Sequence, residues 1–302
     1  MPRRSKSKAL HSPVSDTVLR RGVLRVLLAA ALGAFAGCAT VSAVDRARVE
    51  TGGKVVEARL GCAHREPLAF TPGHLDSGRP LAVVSWNIHK NADPGWQDDL
   101  ARFASGSDLV LLQEASLTDE LRGVLGKSAR HWVHADAWEY EGVANGVLTG
   151  AAVAPYDACL QRAAEPLITL PKSALVAWYR VAGRTETLAV ANLHAINFTL
   201  ALGAYREQLD ALGTVLDSHR GPMIVAGDFN TWSVYRVAAV HAFAPRLALS
   251  EVKASRGERT VFSGMPVDYL FVRGFDVVDA WVDEVASSDH SPILATLRWE
   301  RR

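Results

Sequence analysis

The chain has almost no net charge, few cysteines and no apolar run long enough to cross a bilayer. Its 33 lysines and arginines against 32 aspartates and glutamates leave a formal charge of +1 over 302 residues. A protein that coats long nucleic acid through many phosphate contacts carries a basic face, so any such surface here has to be local. The balance argues against a stoichiometric nucleic-acid binder and leaves an enzyme that turns over untouched. The most continuous apolar stretch, Val26 to Ala36, is well short of the roughly 20 residues that span a membrane. No internal repeat and no second domain is visible. Among the three cysteines, Cys62 and Cys159 either join the N-terminal extension to the core in an oxidising compartment or stand as unrelated thiols. The sequence leaves both readings open.

What is present begins with a basic N-terminus. Arg3, Arg4, Lys6, Lys8, Arg20, Arg21 and Arg25 precede the apolar run, and Gly37-Cys38 follows it. A basic region, a short apolar core and a small-residue cleavage site together describe a secretory signal. Cys38 after Ala36-Gly37 resembles a bacterial lipobox, with Phe35 where that pattern usually has Leu, and Arg20 to Arg25 loosely resembles a twin-arginine signal. Export is therefore expected, to the periplasm or as a membrane-tethered lipoprotein, with residues 1–38 as the signal. An uncleaved anchor or a disordered basic tail is the plainer alternative. Residues 39–80, rich in Gly, Arg, Glu and Pro, read as a tether and irregular lead-in.

From Leu81 the pattern changes. Short apolar runs bounded by turn residues recur at Leu81–Trp86, Leu109–Leu112, Val147–Val153, Leu175–Val181, Leu188–Leu193, Met223–Ala226, Val267–Val272, Val277–Val282 and Ile293–Trp299. Each has strand length and composition. Between them apolar residues fall at helical spacing: Trp96, Leu100 and Phe103; Leu117, Leu121 and Leu125; Tyr205, Leu209, Leu212 and Leu216. Strands single and in pairs, with helices interspersed, predict an α/β sandwich. Residues 81–299 form one catalytic domain in this reading.

The chemistry lies where those strands end. Asn87 closes the first and Glu114 follows the second. Asn192 and His194 end another, and Asp228 and Asn230 follow Met223–Ala226. Asp268 lies within Val267–Val272, and Asp289 and His290 precede the last strand. Taken singly each has a duller reading, since a strand-terminal Asn or Asp is more often a turn former or cap. Together two histidines, several carboxylates and amides at the ends of rigid strands are the inventory of a metal-assisted hydrolase.

Ser85-Trp86-Asn87-Ile88, Gln113-Glu114, Asn192-Leu193-His194, Gly227-Asp228-Phe229-Asn230, Asp268-Tyr269-Leu270-Phe271 and Ser288-Asp289-His290-Ser291-Pro292 resemble, in order, the motifs of the endonuclease/exonuclease/phosphatase superfamily. Leu111 to Ala115, Lys172 to Val176 and His194 to Phe198 are nearer to one bacterial branch, the YafD-like proteins. The resemblance implies a four-layered α/β sandwich, two central mostly antiparallel sheets flanked by helices, of the deoxyribonuclease-I-like kind. It implies Mg2+ or Mn2+ held by Asn87, Glu114 and Asp289, with Glu114 as the principal ligand. It implies that Asp228 orients or deprotonates water and that Asn230 helps hold the phosphate. His194 and His290 would stabilise the developing charge, Asp268 would fix the tautomer of His290, and Asp289 would support the water or a second metal. Lys90 either contacts phosphate or is a solvated lysine, the commoner case.

The substrate is a phosphoester. A nucleic acid is favoured, with phospholipid or inositol phosphate as the alternative and a non-catalytic surface lipoprotein as a third reading. Trp96, Phe198 and Trp232 are candidates to stack on a base, though ordinary packing explains each as well. A monomer is expected, meeting the membrane only through its N-terminal lipid or signal anchor.

Overall fold

The computed structural model describes residues 46–301, apart from 52, 59, 66, 67, 69, 70, 128–130, 169 and 200. The export signal, its Cys38 and the first residues of the tether lie outside the described residues. The main strands are β1 (Ala47–Thr51), β2 (Lys54–Ala58), β3 (Leu81–Asn87), β4 (Leu109–Ser116), β5 (His131–Tyr140), β6 (Val143–Ala151), β7 (Asp157–Ala164) and β8 (Pro171–Val181). They continue with β9 (Leu188–His194), β10 (Met223–Asp228), β11 (Asp268–Arg273), β12 (Phe275–Val282) and β13 (Ile293–Trp299). Four helices accompany them: α1 (Trp96–Gly106), α2 (Asp119–Lys127), α3 (Gly203–Leu216) and α4 (Val234–Arg246).

Two sheets result. The first runs β12-β13-β3-β4-β6-β5-β1-β2, and the second carries Ser250–Glu251, β11, β10, β9, β8 and β7 in that order, extended by Leu60–Gly61 and His64–Arg65. Each has a central parallel pair joined by a helix, β3-α1-β4 in one and β9-α3-β10 in the other. The remaining pairings are antiparallel, except that Leu60–Gly61 and His74–Leu75 run parallel to β7 and β8. Alternation sorts the side chains. Val83, Leu109 and Leu111 join Leu175, Val190 and Ile224 between the sheets. Their neighbours Val84, Trp86, Val110 and Leu112 pack with Trp96, Leu100, Phe103 and Leu121 of α1 and α2. On the far side Val225 and Phe271 pack against Tyr205, Leu212 and Phe243 of α3 and α4. Helices, sheet, sheet and helices make the expected four layers, and strands covered on both faces explain the nearly unbroken apolar runs.

Three differences from the sequence reading have physical causes. The stretch expected as irregular lead-in contains β1 and β2, and β1 pairs with β5 to extend the first sheet. Ala47 and Val49 are buried while Arg48 and Glu50 are not, a period of two too short to stand out among charges. Strand β5 escapes detection because it buries His134 and Asp136, paired at 2.7 Å, among its apolar residues. Strand β7 is short of branched and aromatic residues, with alanine at three of its eight positions.

The open question about cysteine is decided. Cys62 and Cys159 are bonded across 97 residues, with Cα atoms 4.8 Å apart, tying the N-terminal extension to β7. Closing so long a loop restricts the unfolded chain, which is worth roughly 2–5 kcal/mol. Denaturant unfolding with and without reductant should show a loss of that order in the reduced form. Superimposable curves would mean the bond contributes nothing to stability.

Candidate active site

The site lies where the two parallel pairs end. Asn87 closes β3, Glu114 lies near the end of β4, His194 closes β9 and Asp228 closes β10. His194 is in register with Asp228, and Asp228 with Asp268 at the start of β11. The loop carrying Asp289 and His290 docks on β3, with Ser288 Oγ donating to Asn87 O at 2.7 Å and Trp86 Nε1 donating to His290 O at 2.9 Å. All eight residues expected at the site are thus brought to one end of the sandwich.

Local backbone explains several motif letters. Gly227 has φ +138°, and a Cβ there would lie 2.0 Å from Leu193 O on the adjacent parallel strand. Only glycine fits before Asp228. Asn230 takes a left-handed φ of +49°, a conformation that Asn tolerates better than most residues. Glu114 has φ +50° inside an irregularity of β4, where Leu112 and Ala115 face Leu148 and Gly146. That extra residue turns the carboxylate toward the site. A bulky non-glycine residue in this region is strained and points to function.

Asp228, 2 % exposed, is the centre. It accepts from Asn87 Nδ2 at 3.1 Å, Asn230 N–H at 2.9 Å and Asn230 Nδ2 at 3.4 Å. His194 Nε2 lies 3.4 Å and His290 Nε2 3.9 Å from the same carboxylate. Burial raises its pKa, against the pull of both histidines. His290 Nδ1 bonds Asp268 Oδ2 at 2.8 Å. Burial disfavours charge on this ring, but Asp268, followed by Asp228 and Asp289, outweighs it and lifts the pKa to about 10. His290 is therefore a cation at neutral pH.

His194 is different. Burial, then the nearby Lys172 ammonium, lowers it to about 4 against the pull of Asp228 and Glu114. Its neutral Nε2 accepts from Lys172 Nζ at 2.9 Å, so the positive charge at this position is that of Lys172. Glu114 faces Lys90 directly and Lys172 at 3.5 Å. Burial opposes its ionisation, but His194, Lys172 and Lys90 outweigh this and hold it at about 2. With His194 neutral above pH 4, the lysines are the standing countercharge. Lys90, read as solvated, is thus an ion-pair partner. Lys172 was legible only as a cation opening an apolar strand.

Among the described residues two groups of side chains could hold a metal. Asp228, Asp268 and His290 offer ligand atoms within 4.8 Å of one another, but protonated His290 already balances those carboxylates. Glu114, Asn87 Oδ1 and the exposed Asp289 offer hard oxygen donors. The two lysines drawn to Glu114 indicate that a cation is stable beside it. This second set suits Mg2+ or Mn2+ better.

Sequence reasoning also missed the scaffold beneath. Gln113 of the first sheet donates from Nε2 to Asn192 Oδ1 of the second at 2.7 Å, with both side chains buried. Asn192 Nδ2 reaches back to Leu112 O and Leu148 O at 3.1 and 2.9 Å. Arg236, 2 % exposed, donates to the carbonyls of Ile196, Asn197 and Asn230 at 2.8–2.9 Å. Buried Glu165 accepts the N–H groups of Asn197 and Phe198 at 2.6 and 2.7 Å. Both are charges in a dry environment with no metal or ligand pattern around them, so spacing alone could not reveal them. A cavity of about 600 Å3 opens above the cluster, lined on its polar side by Glu114, His194, Asp228, Asn230, Asp289 and His290. Trp96 is buried under α1, whereas Phe198 and Trp232 line the cavity.

The Endonuclease/Exonuclease/phosphatase family model matches residues 84–290. A UPF0294 protein of Vibrio campbellii is 41% identical over 228 residues, covering 74% of this chain and 80% of that protein. One from Vibrio parahaemolyticus is 37% identical over 277 residues, covering 90% and 95%. Among solved structures, an endonuclease/exonuclease/phosphatase from Bacteroides vulgatus matches with TM-score 0.57 at 18% identity, over 73% of this chain and 99% of that one. ANGEL2, a 2′,3′-cyclic phosphatase, matches with TM-score 0.58 at 15% identity, over 74% and 96%. At such identities the likeness is one of fold.

Arg236→Met keeps the bulk of the buried guanidinium but strands three carbonyls. It should cost about 3 kcal/mol or more in urea unfolding. A loss below about 1 kcal/mol would show that the strand-end loops stand without it.

Proposed function

Because the chain belongs to the endonuclease/exonuclease/phosphatase family, we propose that it is a divalent-metal-dependent phosphodiester hydrolase. One observation carries the reading: a protonated imidazole, His290, held by Asp268 next to a buried carboxylate, Asp228, whose proton affinity is raised. Base and acid stand side by side, both with raised proton affinity, so that one can take a proton while the other keeps its own at neutral pH.

Asp228 is oriented by Asn87 and Asn230 and takes the proton of the attacking water. Raised pKa makes it a better base than a surface carboxylate. His290 places a positive N–H where charge builds on the phosphate, and burial strengthens that interaction relative to water. Neutral His194, fixed by Lys172, shapes the opposite wall without adding charge. Glu114, Asn87 and Asp289 would hold the metal, which when bound neutralises phosphate charge and lowers the barrier to attack by an anionic nucleophile. The disulfide supports a location in an oxidising compartment, in keeping with the export signal read in residues 1–38.

Hydrolysis of bis(p-nitrophenyl) phosphate by the full chain, with Mg2+ or Mn2+ and with a chelator, tests this directly. Activity is expected only with metal, and Asp228→Asn should lower turnover by about 10²–10⁴-fold. Equal rates with chelator would end the metal reading. The pH profile tests the acid. Activity should persist until His290 loses its proton near pH 10, with no inflection at the ordinary histidine value. Asp268→Asn removes the charge that raises this pKa, so the basic limb should fall by roughly 1–3 pH units. A limb that stays in place would take His290 out of the mechanism.

A further inference from the structure

The catalytic cavity is polar on its floor and apolar at its mouth. Leu167, Phe198, Val261 and Phe262 line it and are respectively 60, 48, 62 and 63 % exposed. Ile168 adjoins Leu167, and Val234 and Tyr235 follow just after the cavity-lining Trp232, at 43, 65 and 71 % exposure. The four that line the mouth are a third of the twelve large hydrophobic side chains exposed among the described residues. Scattered apolar residues need no explanation, but a cluster at one mouth does.

The cluster is built on separate, anchored segments. Val261–Phe262 pairs with Met265–Pro266 as a small hairpin belonging to neither main sheet. Ser263 and Gly264 turn it with φ +51° and +77°, the conformation that closes a tight two-residue hairpin. Its base is fastened beside the catalytic loop: Ser291 N–H donates to Thr260 Oγ1 at 2.8 Å, and Thr231 Oγ1 donates to Pro266 O. Glu165 and Arg236 pin the segment carrying Phe198. The apolar tips are thus exposed by a fixed backbone rather than by looseness.

Two properties say what covers this rim. Its aliphatic members Leu167 and Val261 have no flat face to stack on a base. Among the described residues lining the cavity there is no lysine or arginine, and Lys90 and Lys172 are committed to Glu114. The flanking phosphates of a polynucleotide would find no cation there. A protein partner on the rim would seal the cavity against substrate. A surface that is itself made of phosphodiesters with apolar chains would cover the rim and feed the floor at once.

We propose that the apolar rim formed by Leu167, Phe198, Val261 and Phe262 docks the catalytic mouth onto a phospholipid bilayer, presenting lipid headgroup phosphodiesters to the site. The identity of the substrate rests on the hydrolase reading; the docking does not. An anchored N-terminus, as read in residues 26–38, would hold the chain near such a surface. The rim side chains enter the interfacial region while Asp289 and His290 stay at headgroup depth.

The test uses the full chain with Cys38→Ser and a polarity-sensitive fluorophore on Ser263→Cys at the hairpin turn. Vesicles of mixed phosphatidylethanolamine and phosphatidylglycerol should blue-shift its emission, and nitroxide-bearing lipids should quench it. Adding Leu167→Ser and Phe262→Ser should raise the lipid needed for a half-maximal shift by about tenfold or more, and Phe262→Leu should restore most of it. No shift with vesicles, or a shift indifferent to the serine substitutions, overturns the docking. A response to single-stranded oligonucleotide in place of vesicles would overturn it in favour of nucleic acid. Hydrolysis is read separately on bis(p-nitrophenyl) phosphate: a tip that inserts in a chain that cleaves nothing would keep the docking and remove the enzyme.

Discussion

A carboxylate buried at the seam of two sheets sets the terms for everything around it. Asp228 cannot keep its charge at 2 % exposure without partners. Those partners come from both sheets: Asn87 and the loop carrying His290 from the first, and His194, Asn230 and the Asp268 that supports His290 from the second or its flanking loop. The arrangement demands that the sheets meet in one register. The buried Gln113–Asn192 amide pair provides it, since slipping either strand would leave amide groups unsatisfied in the core. What stabilises the seam and what forms the site are the same set of contacts.

Charge is distributed unevenly across that seam. Of the two histidines beside Asp228, one is cationic and the other neutral, and the difference lies in what else touches them. His290 meets Asp268, whereas His194 meets Lys172. The lysines gather at Glu114, and protonated His290 is the cation that faces Asp228 and Asp268 on the cavity floor. Above this floor the walls become apolar and no longer titrate. A small polar centre thus sits inside an apolar collar.

Much of this was legible from one dimension because strands and motifs coincide. The short apolar runs bounded by turn residues, the helical spacing of Tyr205, Leu209, Leu212 and Leu216, and the polar residues closing the runs placed the eight candidate residues at or near strand ends. Gly227 could be suspected as part of a motif, but its reason, a backbone carbonyl 2.0 Å from any Cβ, exists only once β9 and β10 lie side by side. Strand β5 was hidden by its buried His134–Asp136 pair. Glu165 and Arg236 were silent because their partners are main-chain groups, which carry no residue identity to read.

The amino-acid order by itself determined an α/β sandwich from Leu81 onward and the polar inventory at its strand ends. These depend on local periodicity and on the polarity of single residues. Tertiary structure decided the pairing of Cys62 with Cys159, which histidine is charged, that Lys90 and Lys172 serve Glu114, and that scattered Leu167, Phe198 and Phe262 meet at one mouth. Each of those depends on distances between residues far apart in the chain. A pKa, an ion pair or an apolar rim is a property of neighbours in space, and only the packed sheets choose the neighbours.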